Sequence, residues 1–187
     1  MRGFAGPASA IGRPAVALIL ALLVGCAPTQ PPAAPPTPTY QLPPRPVRPE
    51  ERPLAVGTVK QGNTEFTPIG LSSLEEVVGS HAEWEPKGQF IRVRLVVVNT
   101  DRSSVSFTTA HQQLITTDGA AHDVDSQAML IERQPDEPFN LGAFVRIEFD
   151  LYYDVPVNVR PKALRVHGGT TLTDPTDSTS ADIPLDR

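Results

Sequence analysis

Sulfur is scarce in this 187-residue chain, which has one cysteine, Cys26, and two methionines. A single thiol excludes an intrachain disulfide and a cysteine-rich zinc site. Positive charge is scarce where a nucleic acid would need it: residues 54–187 carry 11 Lys and Arg against 19 Asp and Glu, a balance of −8. Nucleic-acid affinity comes mainly from Lys and Arg on phosphate, so no nucleic-acid partner is expected. An acidic domain is not drawn to an anionic membrane surface either. Long apolar runs are missing. The longest, Ala15 to Val24, has ten residues, about half of the roughly 20 that a membrane-spanning helix needs. No segment sustains a helical period. There is no G-x-S-x-G nucleophile turn. Gly168-Gly169 ends an apolar alternation and opens no helix, which removes a phosphate-cradling loop. No cofactor is expected.

Proline is in excess. Eleven of the 21 prolines lie between Ala27 and Pro53 (APTQPPAAPPTPTYQLPPRPVRPEERP). Proline fixes φ and removes a backbone donor, so this stretch predicts polyproline II with coil between, and no core. At ~3.1 Å per residue its reach is at most on the order of 80 Å. We read it as a spacer. A PxxP ligand for an SH3-like partner is the rival, and Thr29, Thr37 and Thr39 are candidate O-glycosylation positions.

Ahead of the spacer, Arg2 and Arg13 precede the apolar run AVALILALLV, the pattern of a secretory signal. The run closes on Leu23-Val24-Gly25-Cys26. This resembles the lipobox of bacterial lipoproteins, with a small residue just before the cysteine that opens the mature chain. The chemistry explains the pattern: the thiol of Cys26 takes a diacylglyceryl group as a thioether, and cleavage falls between Gly25 and Cys26. The freed amino group is then open to a further acyl chain. One chain binds a bilayer marginally, whereas a second makes the anchor stable. The rival is an ordinary cleaved signal with an incidental cysteine. The only thiol of the chain stands where a lipobox requires it, and we take the lipobox reading.

From Leu54 onward apolar and polar residues alternate, the signature of half-buried strands. In Phe90 to Asn99 (FIRVRLVVVN), Ile91, Val93, Leu95 and Val97 point one way and Arg92 and Arg94 the other. In Ala143 to Leu151 (AFVRIEFDL), Ala143, Val145, Ile147, Phe149 and Leu151 face a core, while Arg146, Glu148 and Asp150 face water. Ala163 to His167 places Leu164 and Val166 inward. Shorter strands are expected at Val56 to Gln61 and Glu65 to Leu71 around Gly62-Asn63, and at Val105 to Thr108. Two more, Gln113 to Thr117 and Ala121 to Val124, flank Asp118-Gly119, a type I′ turn signal. Leu74 to Val78 has room for one helical turn and Gln127 to Arg133 for two. About eight strands with one apolar face each must pack sheet on sheet, so an all-β antiparallel sandwich is expected. The resulting map is 1–25 signal peptide, 26–53 lipidated cysteine and linker, 54–169 sandwich, and 170–187 a mostly unstructured tail.

Five stretches stand out in order: Ala55-Val56-Gly57; Phe90 to Val98 running into Asn99-Thr100; Val105-Ser106-Phe107; Leu114 with Asp118-Gly119; and Phe149 with Asp154-Val155-Pro156, followed by Pro161 to Val166. They resemble a family of secreted bacterial domains of unknown function, similar to the mycobacterial immunogenic secreted protein family. Together they span roughly 55 to 168, and their order and spacing carry the likeness. The resemblance implies an immunoglobulin-like β-sandwich and transfers no catalytic residue. The family usually has Pro-Gly before the strand that begins here near Ala143. This chain has Asn140-Leu141-Gly142, so that turn is expected to differ.

Candidate sites are few. His122, Asp123 and Asp125 lie together after a predicted turn. Asp123 and Asp125 share a strand face, and with Asp118 or a carbonyl they offer oxygen ligands to a hard cation. Zinc would want His111 or His122 with a further nitrogen ligand. A solvated acidic strand end is the simpler reading, and no metal is assigned. Tyr152-Tyr153 are consecutive, so one ring faces outward if the strand runs on. Phe90 and Phe144 are off the inward register, and Trp84 sits in the loop before the long strand. Such aromatics make a partner or glycan surface, or else cover the second face of the sandwich. Ala128-Met129-Leu130-Ile131 falls in a long connection, Ser126 to Gly142, and reads as a core cap more readily than as a functional loop.

The expected protein is therefore a lipid-anchored envelope lipoprotein on the extracytoplasmic face of the membrane. Its sandwich is a non-catalytic module for an envelope protein or wall component. The alternative is a small-ligand or metal-binding lipoprotein serving uptake, and a hydrolase is a distant third. Replacement Cys26→Ala should move the protein out of the membrane fraction of expressing cells; retention there would contradict the lipid anchor.

Overall fold

A computed structural model of the chain describes residues 46–171 and 179–186. Gly25, Cys26 and most of the linker lie outside the described residues. The alternating segments form strands β1 (Arg52–Pro53), β2 (Val59–Gln61), β3 (Thr64–Leu74), β4 (Val77–Val78), β5 (Glu83–Trp84), β6 (Gln89–Asn99) and β7 (Val105–Phe107). They continue with β8 (Gln113–Thr116), β9 (Ala121–His122), β10 (Phe139–Leu141), β11 (Arg146–Val155), β12 (Pro161–Val166) and β13 (Ala181–Pro184). One short helix, α1 (Ser126–Ile131), and a 3₁₀ turn, Thr109–His111, complete the elements.

One main sheet has the order β1-β3-β6-β11, with β2 also on β3; the other has the order β13-β12-β8-β9, and both are antiparallel. Small pairs β7–β10 and β4–β5 stand beside them. Phe66, Val93, Leu95, Val97 and Leu151 from the first sheet join Leu114, Leu164, Val166 and Ile183 from the second in a single core. Phe107 lies among the rings of Phe66, Phe139 and Phe149, with centroids 6.1, 5.6 and 6.1 Å away. This is the all-β antiparallel sandwich expected from the alternation, and it agrees with the immunoglobulin-like type that the family resemblance implies. Pro68 has no N–H to donate. It falls in β3 between the stretch paired with β2 and the stretch paired with β1, next to a register shift at Pro68/Gly70.

Several local expectations are corrected. Leu74 to Val78 ends in β4 and makes no helical turn. The Asp118-Gly119 loop is not type I′, since only Gly119 has positive φ (85°) and Thr116 N donates to Ala120 O at 3.0 Å. A three-residue loop ending in left-handed glycine fits that closure. The strand expected from Ala143 begins at Arg146, because Gly142 to Val145 turns, with Val145 N donating to Gly142 O at 3.2 Å. Phe144, at the tip, is 65% exposed and takes φ 57°, a conformation that costs a bulky residue about 1–3 kcal/mol. The buried Asn99 clamps this turn: its Nδ2 reaches Leu141 O (3.0 Å) and Gly142 O (2.9 Å), and its N donates to Val145 O (3.0 Å). The tail also contributes structure. β13 pairs with β12, and Ile183 and Leu185 are buried.

The largest correction concerns Glu148 and Asp150, expected in water. Both side chains are almost fully buried, as is Arg94, which is 3% exposed. Register sets Arg94 opposite Asp150 on β11 and Gly70 on β3. Residues 46–51, the end of the proline-rich segment, pass over this face. Arg48 Nη1 meets Asp150 Oδ2 at 2.7 Å, and Arg94 Nη1 lies 3.3 Å from Glu51 Oε2 and donates to Pro46 O at 3.1 Å. Arg94 Nε also lies 3.5 Å from Glu148 Oε1. Gly70 makes room for the strap, because a Cβ there would collide with the Glu51 carboxyl. The domain thus starts before Leu54, and its N-terminal strap is fastened by charge.

Removing one partner of such a buried set leaves others uncompensated, which costs about 3–5 kcal/mol. Arg94→Ala should lower the unfolding free energy by about that amount in urea titrations. A loss under about 1 kcal/mol, the range of an exposed pair, would contradict the burial.

Candidate binding surfaces

The aromatic surface expected from the sequence divides in two. Tyr152 and Tyr153 are 1% and 0% exposed and are not surface residues. Both faces of β11 are covered. Tyr153 belongs to the core and its hydroxyl donates to Gln112 O at 3.3 Å. Tyr152, on the other face, meets Phe90 edge-on at 6.5 Å, and Phe90 is buried with it. Burial pushes both phenols above their ordinary range, and the negative charges of Asp150 and Glu132 push Tyr152 further.

Trp84, by contrast, is 41% exposed. It sits on β5 opposite the buried Val77 of β4, and this hairpin lies against α1. The helix is short but fully terminated. Asp125 Oδ1 accepts from Ala128 N at 2.8 Å as the N-cap. At the other end Arg133 N donates to Leu130 O (3.1 Å) and Gln134 N to Met129 O (2.8 Å), a Schellman closure with Arg133 at φ 54°. The segment is also tied to the edge of β11: Asp125 N donates to Tyr152 O (2.8 Å), and Gln134 Oε1 accepts from Asp150 N (2.9 Å). Arg133 Nη2 reaches the hairpin at Ser80 Oγ (2.9 Å). Ala128 and Met129 are buried, which fits the core-cap reading, while Leu130 is 58% exposed. This braced unit therefore presents Val78, Trp84 and Leu130 to solvent.

Of the residues considered for a cation, His122, Asp123 and Asp125 line one groove of about 610 Å³, together with Asp154. Each has a structural engagement. Asp125 caps α1, Asp123 accepts from Gln113 Nε2 (2.8 Å), and Asp154 holds the backbone N of Lys87 (2.9 Å) and Gly88 (3.1 Å). Asp118 is outside the groove lining. It accepts from Thr116 Oγ1 (2.6 Å) and Ala120 N (3.2 Å), and those hydrogen bonds hold its carboxyl below the usual range. His122 Nε2 lies 3.1 Å from Thr116 Oγ1. Among the described residues no three His, Cys, Asp or Glu side chains gather as a metal cage. The role of Asp125 was legible as an acidic N-cap three residues before Ala128 in an apolar run.

One Ser–His contact exists, Ser80 Oγ to His81 Nδ1 at 2.7 Å. The residues are adjacent and exposed, and among the described residues no carboxylate bonds the ring's other nitrogen, the third member such an arrangement needs. No helix among the described residues is long and apolar enough to cross a membrane.

A family model described as a domain of unknown function, DUF4352, matches residues 56–176, more than half of the chain. The chain belongs to this family. Among solved structures, this DUF4352 chain is similar to the yjhA protein of Bacillus subtilis, with a TM-score of 0.53 and 14% identity over 70% of this chain and 97% of that one. It is also similar to the secreted protein MPT63 of Mycobacterium tuberculosis (TM-score 0.39, 15% identity, 64% and 87% coverage). A further likeness is to ycdA of Bacillus subtilis, provisionally named a lipoprotein (0.41, 12%, 74% and 39%). At these identities the yjhA likeness speaks to the fold. No curated protein matches the sequence.

The two buried tyrosines set a pH dependence. Their folded pKa values are raised, so below the ordinary phenol value of about 10 they add none. As pH rises past it, the unfolded chain ionises them and the folded chain does not, and stability falls. In an absorbance titration at high pH, no more than one of the chain's three tyrosines should ionise before the domain unfolds. Ionisation of all three in folded protein would refute the burial.

Proposed function

We propose that the chain is a membrane-anchored extracytoplasmic lipoprotein whose sandwich serves as a non-catalytic interaction module of the bacterial cell envelope. Two kinds of support meet here. The Leu23-Val24-Gly25-Cys26 pattern supports lipid attachment at Cys26 and cleavage after Gly25, with the acyl chains as the membrane contact. The proline-rich residues that follow suit a spacer between anchor and domain.

The observation that carries the binding reading is Trp84. It is the chain's only tryptophan and stands exposed on a hairpin cross-braced to α1. Tryptophan is a frequent anchor of protein interfaces, and an anchor contributes most when its scaffold is rigid before binding. Val78 and Leu130 add apolar area on the same unit. The partner this surface suits is an envelope protein or a wall component with an apolar recess. A small-ligand role has weaker support: the grooves lined by Ser73 and Val157, by Asp123 and Asp154, and by Asp136 and Phe139 are all open to solvent, whereas a small-molecule site encloses most of its ligand.

A photo-reactive amino acid at position 84 tests the reading in native cells. It should capture one dominant partner that the same probe at the exposed Lys60 of β2 does not. Trp84→Ala should weaken binding to that partner at least about tenfold, with an unchanged circular dichroism spectrum. Equal capture from both positions, or none, would remove this surface from the proposal.

A further inference from the structure

Phe144 is the most exposed large apolar residue among the described residues, at 65%, and Val145 beside it is 41% exposed. Both stand on the turn 142–145, which carries no charged residue. Glycine would adopt the left-handed φ of position 144 freely, and phenylalanine does so under strain. The clamp that enforces this conformation comes from inside the domain. Asn99 is fully buried. Besides its bonds to Leu141 O and Gly142 O, its Nδ2 donates to Ser103 O (2.7 Å) and its Oδ1 accepts from Asp101 N (2.9 Å). Strain that the surrounding structure holds in place is a mark of function.

Register gives this tip its place. Thr64 pairs with Asn99 and Arg146 with Val98, so the turn shares one end of the main sheet with Gly62-Asn63 and the loop 100–104. Charges at this end nearly balance: Lys60, Arg102 and Arg146 stand against Glu65 and Asp101. The opposite end, where Leu74 pairs with Phe90 and Val155 with Gln89, is acidic. Four glutamates lie between Leu74 and Lys87 in the connection from β3 to β6. Asp123, Asp125 and Asp154 line the groove beside it, against Lys87 and Arg160. The surplus of acid is thus gathered at the end away from Phe144. An anionic bilayer repels that end and leaves the Phe144 end free to approach.

We propose that the turn 142–145 is a membrane-contact tip, with Phe144 and Val145 entering the headgroup–acyl boundary of an anionic phospholipid bilayer. Apolar side chains reach about 5–10 Å into that boundary, while nearby cations, here the exposed Lys60 and Arg102, meet anionic headgroups. Two apolar side chains bind a bilayer weakly alone, and a tether makes the encounter effectively intramolecular. The inference therefore rests on the membrane tether proposed above. It also gives the domain a direction. The Phe144 end faces the bilayer, and the β3–β6 connection, which carries Trp84, leaves the sheet on the side away from it.

The test uses the chain from residue 26 onward, which holds every described residue. An N-terminal polyhistidine tag tethers it to nickel-chelating lipid in vesicles of phosphatidylglycerol and phosphatidylethanolamine. The tag stands in for acylation, so the outcome does not depend on Cys26, and the Cys26→Ala fractionation judges the anchor separately. Trp84→Phe removes the native indole. Phe144→Trp then reports on the tip, and Val157→Trp, at a position 63% exposed just beyond the other end of β11, is the control. Emission of Phe144→Trp should shift to the blue and lose at least about half its intensity to a spin label high on the acyl chain, and Val157→Trp should do neither. Val145→Trp replaces any Phe144→Trp chain that circular dichroism shows to be unfolded. Phe144→Gly, which relieves the strain, should unfold at the same or a higher urea concentration. Equal quenching at both positions, no quenching at the tip, or a marked loss of stability in Phe144→Gly overturns the proposal. So does a photo-reactive residue at position 144 that captures a protein in native cells in place of lipid.

Discussion

A buried guanidinium in the middle of a sheet face governs how the N-terminal side of this domain is built. Arg94 lies on a central strand, so neither end of the sheet offers its side chain water. A buried charge is tolerated only when paired. The pairing comes from two directions: Glu148 of the neighbouring β11, and Glu51 of a segment outside the sheet altogether. That second carboxylate requires the chain to cross the face, and the crossing brings Arg48 onto Asp150 and the carbonyl of Pro46 onto Arg94. Gly70 supplies the clearance. The proline-rich character of the segment suits the task, since it has few backbone donors to satisfy once it leaves the ladder.

The same sheet has a second exposed liability, the outer edge of β11. Unpaired edges invite other strands. Here α1 lies alongside with a backbone donor at its start and a glutamine at its end, each bonded to that edge. Capping at both ends lets six residues hold a helix that would be marginal alone. The result also buries Tyr152 and leaves the β4–β5 hairpin firmly mounted with Trp84 at its rim.

Much of this was legible from residue patterns. The alternation in Phe90 to Asn99 placed Ile91, Val93, Leu95 and Val97 in the core, where they are. The same rule sent Glu148 and Asp150 to water, because periodicity tells which residues share a face and not what covers it. The covering segment was read as part of the linker, since proline content hides a packed strap as easily as it marks a free one. Tyr152-Tyr153 kept two readings open for the same reason, and the one in which the rings cover the second face holds: two consecutive rings are both buried when both faces of a strand are covered. Phe144 was placed in a strand because nothing local announces a left-handed aromatic, and Asn99, which holds that turn, is distant in sequence. The tail's Ile183 and Leu185 were outweighed by surrounding Thr, Ser, Asp and Pro. His111 has the ring of His167 as its neighbour, with centroids 6.3 Å apart, a meeting set by the register of β8 on β12 that no spacing in the sequence reveals.

Because the strap lies across the strands, tension applied to the chain ahead of Pro46 does not first peel an end strand from its partner. It is met by the contacts of Arg94 and Arg48 on the face of the sheet, and only then by the short pairing of Arg52–Pro53 with β3. Ionic contacts at the point of attachment thus take the load before the hydrophobic interior does. A pull strong enough to free residues 46–53 would add their length to the segment ahead of the sandwich before the interior is loaded.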